Sequence, residues 1–123
     1  MKTQCPFCNK TNYEEEGRLT FAKEDSYPVS LGHTLVIPKR HISSYFDCTS
    51  EEREELWAMV DTLKDKAIDK YSPDGFNIGI NIGSAAGQTV GHMHIHLIPR
   101  FTGDMMDPAG GIRGVIPEKQ KYK

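Results

Sequence analysis

Near the end of the chain, three histidines alternate with three apolar residues in the order His92-Met93-His94-Ile95-His96-Leu97. Side chains two positions apart on a β-strand point to the same face of a sheet. The alternation therefore predicts a strand over residues 90–98 with one imidazole face and one apolar face. Because an apolar face must be covered, a second layer has to pack on this sheet.

A single long helix is predicted over residues 50–71. Thr49 and Glu52 have the spacing of a capping box at its start, and the turn-forming residues 72–75, Ser-Pro-Asp-Gly, end it. One stripe of its surface is apolar at helical spacing, which predicts that this side is buried. The stripe consists of Leu56, Met59, Val60, Leu63, Ala67 and Tyr71.

Shorter runs predict further strands over residues 18–22, 33–38 and 76–82, the last with a clean period of two. Strands interrupted by one long helix predict an antiparallel sheet with the helix packed on one side, an α+β fold. The 123-residue chain has neither a repeat nor a linker, so we expect one domain over residues 1–123. Residues 1–100 form its core in this interpretation, and residues 101–123 form a loop-like tail that embraces a partner or closes over a site.

Charge and composition narrow the functional classes. Fifteen basic and 17 acidic residues give a formal charge of -2, which argues against holding nucleic acid or an anionic membrane by bulk positive charge. No apolar stretch is long enough to cross a bilayer, and the first ten residues lack the apolar core of a signal peptide. We therefore expect a cytoplasmic protein whose three cysteines stay reduced.

The three alternating histidines cannot share one metal ion on a straight strand. The outer pair, His92 and His96, would lie about 13–14 Å apart at the backbone, whereas zinc–nitrogen bonds measure about 2.0–2.1 Å. We therefore interpret them as three side chains with separate functions. The alternative is a polar face of an edge strand that is exposed to water.

The loop before this strand, residues 81–89, is rich in small residues. Its backbone amides can approach a ligand closely, and Gln88 and Thr89 add neutral side-chain donors. Such a loop suits an anion such as phosphate, although loops of this composition are also common turns. Its position directly before the histidines favours the phosphate interpretation.

Cys5 and Cys8 have the spacing of half a tetrahedral zinc site. A redox pair is one alternative, but this pair opens the chain instead of following a strand in a βαβ unit. The other alternative is that both residues are ordinary thiols without a metal or redox function. A closed zinc site needs two more ligands from elsewhere in the chain, whereas Cys48 is expected to be a small packed side chain.

The segment from Gly87 to Arg100, GQTVGHMHIHLIPR, resembles the signature of the histidine triad (HIT) superfamily, in which three histidines alternate with apolar residues. Residues 32–42, GHTLVIPKRHI, and the pair Asn81-x-Gly83 are similar to two further blocks of that family. The resemblance spans roughly residues 5–100. It implies a five-stranded antiparallel sheet with one long helix packed on it, extended across the two-fold axis of a homodimer.

The family binds nucleotides and cleaves or transfers a nucleoside monophosphate at an α-phosphate. By matching position, the resemblance makes His94 the nucleophile and His96 the residue that contacts the phosphate and the leaving group. It also implies that Asp25 bonds to the ribose hydroxyls and that His33 orients the triad. The remaining nucleotide-binding positions are Asn81, Gly87, Gln88 and Thr89.

The chemistry of imidazole agrees with these implied roles. Imidazole is largely neutral, and therefore nucleophilic, at pH 7. If a backbone carbonyl accepts the Nδ1–H of His94, the Nε2 lone pair is aimed at phosphorus. Attack then gives a covalent nucleotidyl-histidine, which water hydrolyses. Fixed donors stabilise the phosphoryl charge, so we expect that no catalytic metal is required.

Several branches of the family carry a structural zinc bound by a cysteine pair and two histidines. The resemblance extends this ligand set to Cys5, Cys8, His41 and His92. In this arrangement the first triad histidine holds zinc, which leaves the other two for chemistry. Zinc would then tie the start of the chain to two strands and stiffen the site.

The resemblance implies two substrate classes. The branch that hydrolyses nucleoside phosphoramidates usually has a tryptophan near its C-terminus, whereas Trp57 lies in the predicted helix. Residues 98–104, IPRFTGD, are instead similar to the segment after the triad in dinucleoside polyphosphate hydrolases. We therefore favour dinucleoside polyphosphates, particularly those of adenine, as purine substrates. The alternative to an enzyme is a regulatory module that binds nucleotides. Arg113 in the tail is interpreted as a solvated side chain, and a contact with a distal phosphate is the alternative.

Overall fold

The computed structural model describes residues 5–8 and 13–122. The outer limits of the predicted 1–123 domain, and most of the stretch inspected for a signal peptide, lie outside these residues. Five strands and one long helix follow in the order β1 (Glu15–Glu16), β2 (Thr20–Glu24), β3 (Thr34–Pro38), α1 (Ser50–Tyr71), β4 (Gly75–Ile80) and β5 (Ile95–Arg100). The strands form one antiparallel sheet with the spatial order β1-β2-β3-β5-β4. The predicted α+β architecture is confirmed.

Helix α1 begins and ends where the sequence predicts. The side chain of Thr49 accepts a hydrogen bond from the backbone of Glu52, whose carboxylate accepts from the backbone of Thr49 in return. This capping box satisfies two backbone donors at the start of the helix. The apolar stripe faces the sheet, with Leu56 fully buried and Tyr71 half-buried at the end.

The strand predicted over residues 76–82 ends at Ile80, and two further strands start later than predicted because the backbone makes other hydrogen bonds there. The strand predicted over residues 18–22 starts only at Thr20, since Gly17 donates to the carbonyl of Thr20 and the residues between them form a turn. The strand predicted over residues 90–98 starts only at Ile95. Before it, the N–H of Met93 donates to the carbonyl of Ile42, outside the sheet ladder. The first two histidines of the triad therefore precede the strand.

The two faces of the sheet carry different clusters. On the helix side, Val36 of β3 and Ile95 and Leu97 of β5 pack with the apolar stripe of α1. On the other side, Phe21 and Leu35 pack against residues near the start of the chain. The histidine-bearing face of β5 therefore looks away from the helix and toward the N-terminal segment.

The tail after β5 contains two short 3₁₀ helices, Gly111–Val115 and Pro117–Lys119, where the sequence predicts only loop. Arg113 of the first stacks on Tyr122 and donates to the carbonyl of Gln120, which fits the interpretation of a surface residue. In the described part of the chain, no helix is both long and apolar enough to span a membrane.

Candidate active site

A cavity of about 330 Å³ lies on the face of the sheet opposite α1. Polar groups from three separate parts of the chain meet in it, because β2, the loop after β4 and the segment leading into β5 all border this face. Six of the predicted site residues line it: Asp25, Asn81, Gly87, Thr89, His94 and His96.

The ring of His94 is fixed by its own backbone. Its Nδ1 lies 3.0 Å from the carbonyl oxygen of His92, and because a carbonyl can only accept, Nδ1 carries the proton. The lone pair is then on Nε2. The ring also makes edge contacts with Phe7 and His96, at centroid distances of 5.0 and 4.9 Å. This is the hydrogen bond on which the nucleophilic mechanism depends.

A chain of hydrogen bonds determines which ring nitrogen of His96 carries the proton. The backbone N–H of Val29 donates to Nδ1 of His33, so the proton of a neutral His33 is on Nε2. That Nε2 lies 3.0 Å from Nδ1 of His96, which must therefore accept. The proton of His96 is consequently on Nε2, where it can be donated to a ligand.

Burial keeps both rings of this chain neutral. Burial lowers the pKa of His96 to about 4, repulsion from His94 and His33 acts in the same direction, and the carboxylate of Asp25 opposes it. Burial also lowers the pKa of His33, again against the attraction of Asp25. The contacts between Asp25 and these two rings, at 3.4 and 4.0 Å, are therefore polar contacts with neutral imidazoles.

The side chains of Asp25, His33 and His96 lie close enough to one another to hold a metal ion. The position of the proton on the His33 ring argues against metal binding there. A histidine that binds metal through one ring nitrogen normally donates the N–H of the other. In His33 the nitrogen opposite the cluster instead accepts from the N–H of Val29. We therefore interpret this group as a proton-ordering chain.

The loop before the triad is braced by the side chain of Gln88. Both ends of the Gln88 carboxamide are bound within the protein, to the N–H of Gly83 and to the carbonyls of Ser43 and Val90. These bonds hold the loop in place, and the phosphate contact of Gln88 stays a prediction. The N–H groups of Gly87 and Gln88 also donate inside the loop.

Two side chains of this region remain available to a ligand. Within residues 5–8 and 13–122, neither the hydroxyl of Thr89 nor the carboxamide of Asn81 has a hydrogen-bond partner, and both line the cavity. Gly87 has a φ of 93°, a conformation that glycine adopts without strain. Together with the Nε2–H of His96, these two side chains offer hydrogen-bond donors to a ligand in the cavity.

The four predicted zinc ligands come together beside this cavity. Nδ1 of His92 lies 3.4 and 3.6 Å from the sulfurs of Cys5 and Cys8, and 3.1 Å from Nδ1 of His41. Tetrahedral bonds of about 2.0–2.3 Å would place such ligand atoms about 3.3–3.8 Å apart. The set is two thiols and two imidazoles, as in structural zinc sites.

The proton of His92 also fits metal binding. Its Nε2 lies 2.7 Å from the carbonyl oxygen of Pro38, so Nε2 carries the proton and the Nδ1 lone pair points at the cluster. This is the arrangement of a metal-bound histidine, and the opposite of that in His33. Phe7 connects the cluster to the cavity. It lies between the two cysteines in sequence and contacts the rings of both His92 and His94.

The HIT domain family model matches residues 9–103 of this chain. The chain belongs to the histidine triad (HIT) family. A Zn-bound histidine triad family protein from Mycobacterium smegmatis has a similar structure, with a TM-score of 0.77, 33% identity, and coverage of 87% of this chain and 82% of that chain. A HIT family protein from Bacillus anthracis has a TM-score of 0.77, 36% identity, and coverage of 82% and 76%.

Two curated HIT relatives have names that describe an activity. AP-4-A phosphorylase of Mycobacterium tuberculosis is 37% identical over 105 residues, which cover 83% of this chain and 53% of that protein. Bis(5'-adenosyl)-triphosphatase of Dictyostelium discoideum is 42% identical over 82 residues, covering 67% of this chain and 55% of that protein. The chain thus spans about half the length of these relatives.

Several residues of the cavity wall were not predicted, among them Phe7, Lys23 and Leu35. Lys23 and Leu35 alternate with buried residues in β2 and β3, and this pattern assigns them to a face without showing that the face borders a cavity. Phe7 lies between the paired cysteines, and that position was the only available signal. Its contact with His94 depends on a fold that joins positions 7 and 94.

We expect the imidazole of His96 to remain neutral throughout the physiological range. Its charged form is disfavoured by burial, so its titration midpoint should lie at about 4, as measured by NMR of the ring nitrogens. The Asp25→Asn variant should shift the midpoint further down, because it removes the carboxylate that stabilises the charged form. A wild-type midpoint near 6.5, or an upward shift in the variant, would contradict the proton chain.

Proposed function

We propose that this HIT protein hydrolyses nucleotides at the α-phosphate through a nucleotidyl-histidine on His94. The hydrogen bond from Nδ1 of His94 to the carbonyl of His92 carries this proposal, because it leaves the Nε2 lone pair in the wall of the cavity. The family membership and the names of the two curated relatives support hydrolysis or transfer of a nucleotide.

The proposed first step exchanges one bond to phosphorus for another. Nε2 of His94 donates its lone pair to the α-phosphorus, and the bond from phosphorus to the leaving oxygen breaks with its electron pair on that oxygen. Thr89, Asn81 and the Nε2–H of His96 supply donors for the phosphoryl and leaving oxygens. The ring of His94 keeps its Nδ1 proton, so the intermediate is cationic and the ring remains a good leaving group.

In the proposed second step, water attacks the same phosphorus. The bond between nitrogen and phosphorus breaks, its electron pair returns to Nε2, and His94 is again neutral. The proton lost by the water passes to the monophosphate product or to solvent. In this scheme Asp25 holds the ribose, and His33 acts only by fixing the proton of His96.

The neutral state of His96 favours a phosphoanhydride substrate over a phosphoramidate. The leaving group of a dinucleoside polyphosphate is a phosphate anion, which needs only hydrogen bonds. An amine leaving group needs a proton as well, and the low pKa of His96, about 4, makes its protonated form scarce at pH 7. We therefore propose dinucleoside polyphosphates as the substrate class, in agreement with the relatives' names, which specify adenosine compounds.

Release of nucleoside monophosphate from diadenosine tetraphosphate should fall by roughly 10⁴-fold in His94→Gly, because the nucleophile is lost. Free imidazole should restore part of this activity by occupying the vacated space. Calorimetry should still detect AMP binding to the variant. An adenosine phosphoramidate is assayed in parallel.

Turnover of the phosphoramidate well above that of the polyphosphate would contradict the proposed substrate class. Near-normal turnover in His94→Gly without imidazole would contradict the assigned nucleophile. Nucleotide binding without turnover of either substrate would favour the regulatory module.

We also propose that Cys5, Cys8, His41 and His92 hold a structural zinc ion. Their donor types, their spacing and the proton on His92 support this, as does the Zn-bound relative. Bound zinc would be a Lewis acid that anchors four side chains. Phe7 lies between the two cysteines in sequence and contacts the ring of His94, so anchoring the cysteines would also restrain that ring.

Protein purified without chelator should contain about one zinc per chain by elemental analysis. Cys8→Ser and His41→Ala should lose most of it, while Cys48→Ser should not, because Cys48 lies in the helix-side core. The melting temperature should fall on chelation in the wild type. Zinc-free wild-type protein that is equally stable would rule the site out.

A homodimer in the cytoplasm remains our proposal for the assembled state. β4 is at the edge of the sheet, and a second copy that pairs with it would extend the sheet and cover an exposed edge. Ile78 on that strand is 41% exposed. The three cysteines, all within the described residues, form no disulfide with one another, as expected in a reducing compartment. The sedimentation mass of the purified chain tests the dimer.

A further inference from the structure

We propose that Lys23 selects the nucleobase, favouring guanine over adenine at the far end of the cavity. This inference rests on the proposed binding of a nucleotide between His94, His96 and Asp25. It concerns which base is bound, and it revises the adenine preference that the family resemblance and the relatives' names suggest.

Lys23 is a half-buried lysine of β2. It lines the cavity, and its Nζ lies 5.9 Å from the centroid of the Phe7 ring. Within residues 5–8 and 13–122, no carboxylate forms an ion pair with it, whereas Lys39 and Lys66 pair with glutamates. Its ammonium group thus offers three donors to a ligand in the cavity.

The sheet register places Lys23 at a suitable distance from the chemistry. Lys23 pairs with Leu35, and Leu35 pairs with His96, so the three form a row across β2, β3 and β5. Two strand spacings, about 9.6 Å, separate the backbones at the ends of this row. Asp25 lies close to His96, with its Oδ2 4.0 Å from Nδ1.

A nucleotide can follow this row from end to end. With its α-phosphate at His94 and His96 and its ribose at Asp25, its base would lie over Leu35 toward Phe7 and Lys23. Phe7 is 7% exposed, and the part of its ring that lines the cavity is apolar. Lys23 and Glu24 are the residues of β2 that line the cavity. Lys23 lies on this face because Phe21 and Lys23 alternate with residues of the other face.

The donors of lysine distinguish the two purines. Guanine presents two neighbouring acceptors, N7 and O6, whereas adenine presents the acceptor N7 beside an amino donor. An ammonium group can bond to both positions of guanine, but it opposes the amino group of adenine. One hydrogen bond to a charged group is worth about 10-fold or more in affinity.

Calorimetric binding of GMP and AMP tests the proposal without requiring turnover. The wild-type protein should bind GMP more tightly than AMP. Lys23→Met keeps the length and the apolar stem of the side chain but removes the donors, and should reduce this ratio of affinities about 10-fold. Lys64→Met, on the exposed surface of α1, should leave the ratio unchanged.

An unchanged ratio in Lys23→Met would overturn the proposal. An equal loss of affinity for both nucleotides would also overturn it, because that pattern indicates a phosphate contact or a structural role. A changed ratio in a protein that hydrolyses no dinucleoside polyphosphate would support base selection while contradicting the proposed function. Hydrolysis with an unchanged ratio would contradict base selection alone.

Discussion

The hydrogen bond between Nδ1 of His94 and the carbonyl of His92 determines what this site can do. It assigns the proton of the ring to one nitrogen and leaves the other as a lone pair in the cavity. The bond depends in turn on the backbone around His92, whose own ring is held by the carbonyl of Pro38 and by the Cys/His cluster. Met93, between the two histidines, is fully buried in the helix-side core. Three consecutive residues thus belong to the Cys/His cluster, to the core and to the site of the proposed nucleophile.

Histidine roles in this protein follow from the backbone group that faces each ring. His92 faces a carbonyl through Nε2, so its Nδ1 is suited to a metal. His33 accepts a hydrogen bond from the N–H of Val29 at Nδ1, so its Nε2 carries the proton. Nδ1 of His96 accepts from that Nε2, which places the proton of His96 on its own Nε2. Two clusters with similar spacing therefore differ in chemistry. Distances between side chains alone would not separate a zinc site from a proton chain.

Periodicity predicted much of the fold but little of the loop chemistry. The limits of α1 and the two faces of β4 and β5 follow from local spacing and capping, which are short-range properties. The late start of β5 depends on a hydrogen bond from Met93 to Ile42, and the bracing role of Gln88 depends on Ser43. These partners lie tens of residues away, so no local pattern shows them. The family resemblance supplied the cysteine–histidine cluster for the same reason.

The most direct test of this account is to trap the protein during turnover. After rapid acid-free quenching with diadenosine tetraphosphate, intact and peptide mass spectrometry should show the mass of one adenylyl group on His94. NMR should place the bond at Nε2, with the proton still on Nδ1. Robust product formation from a ring that is never modified, or modification at Nδ1, would contradict the central claim.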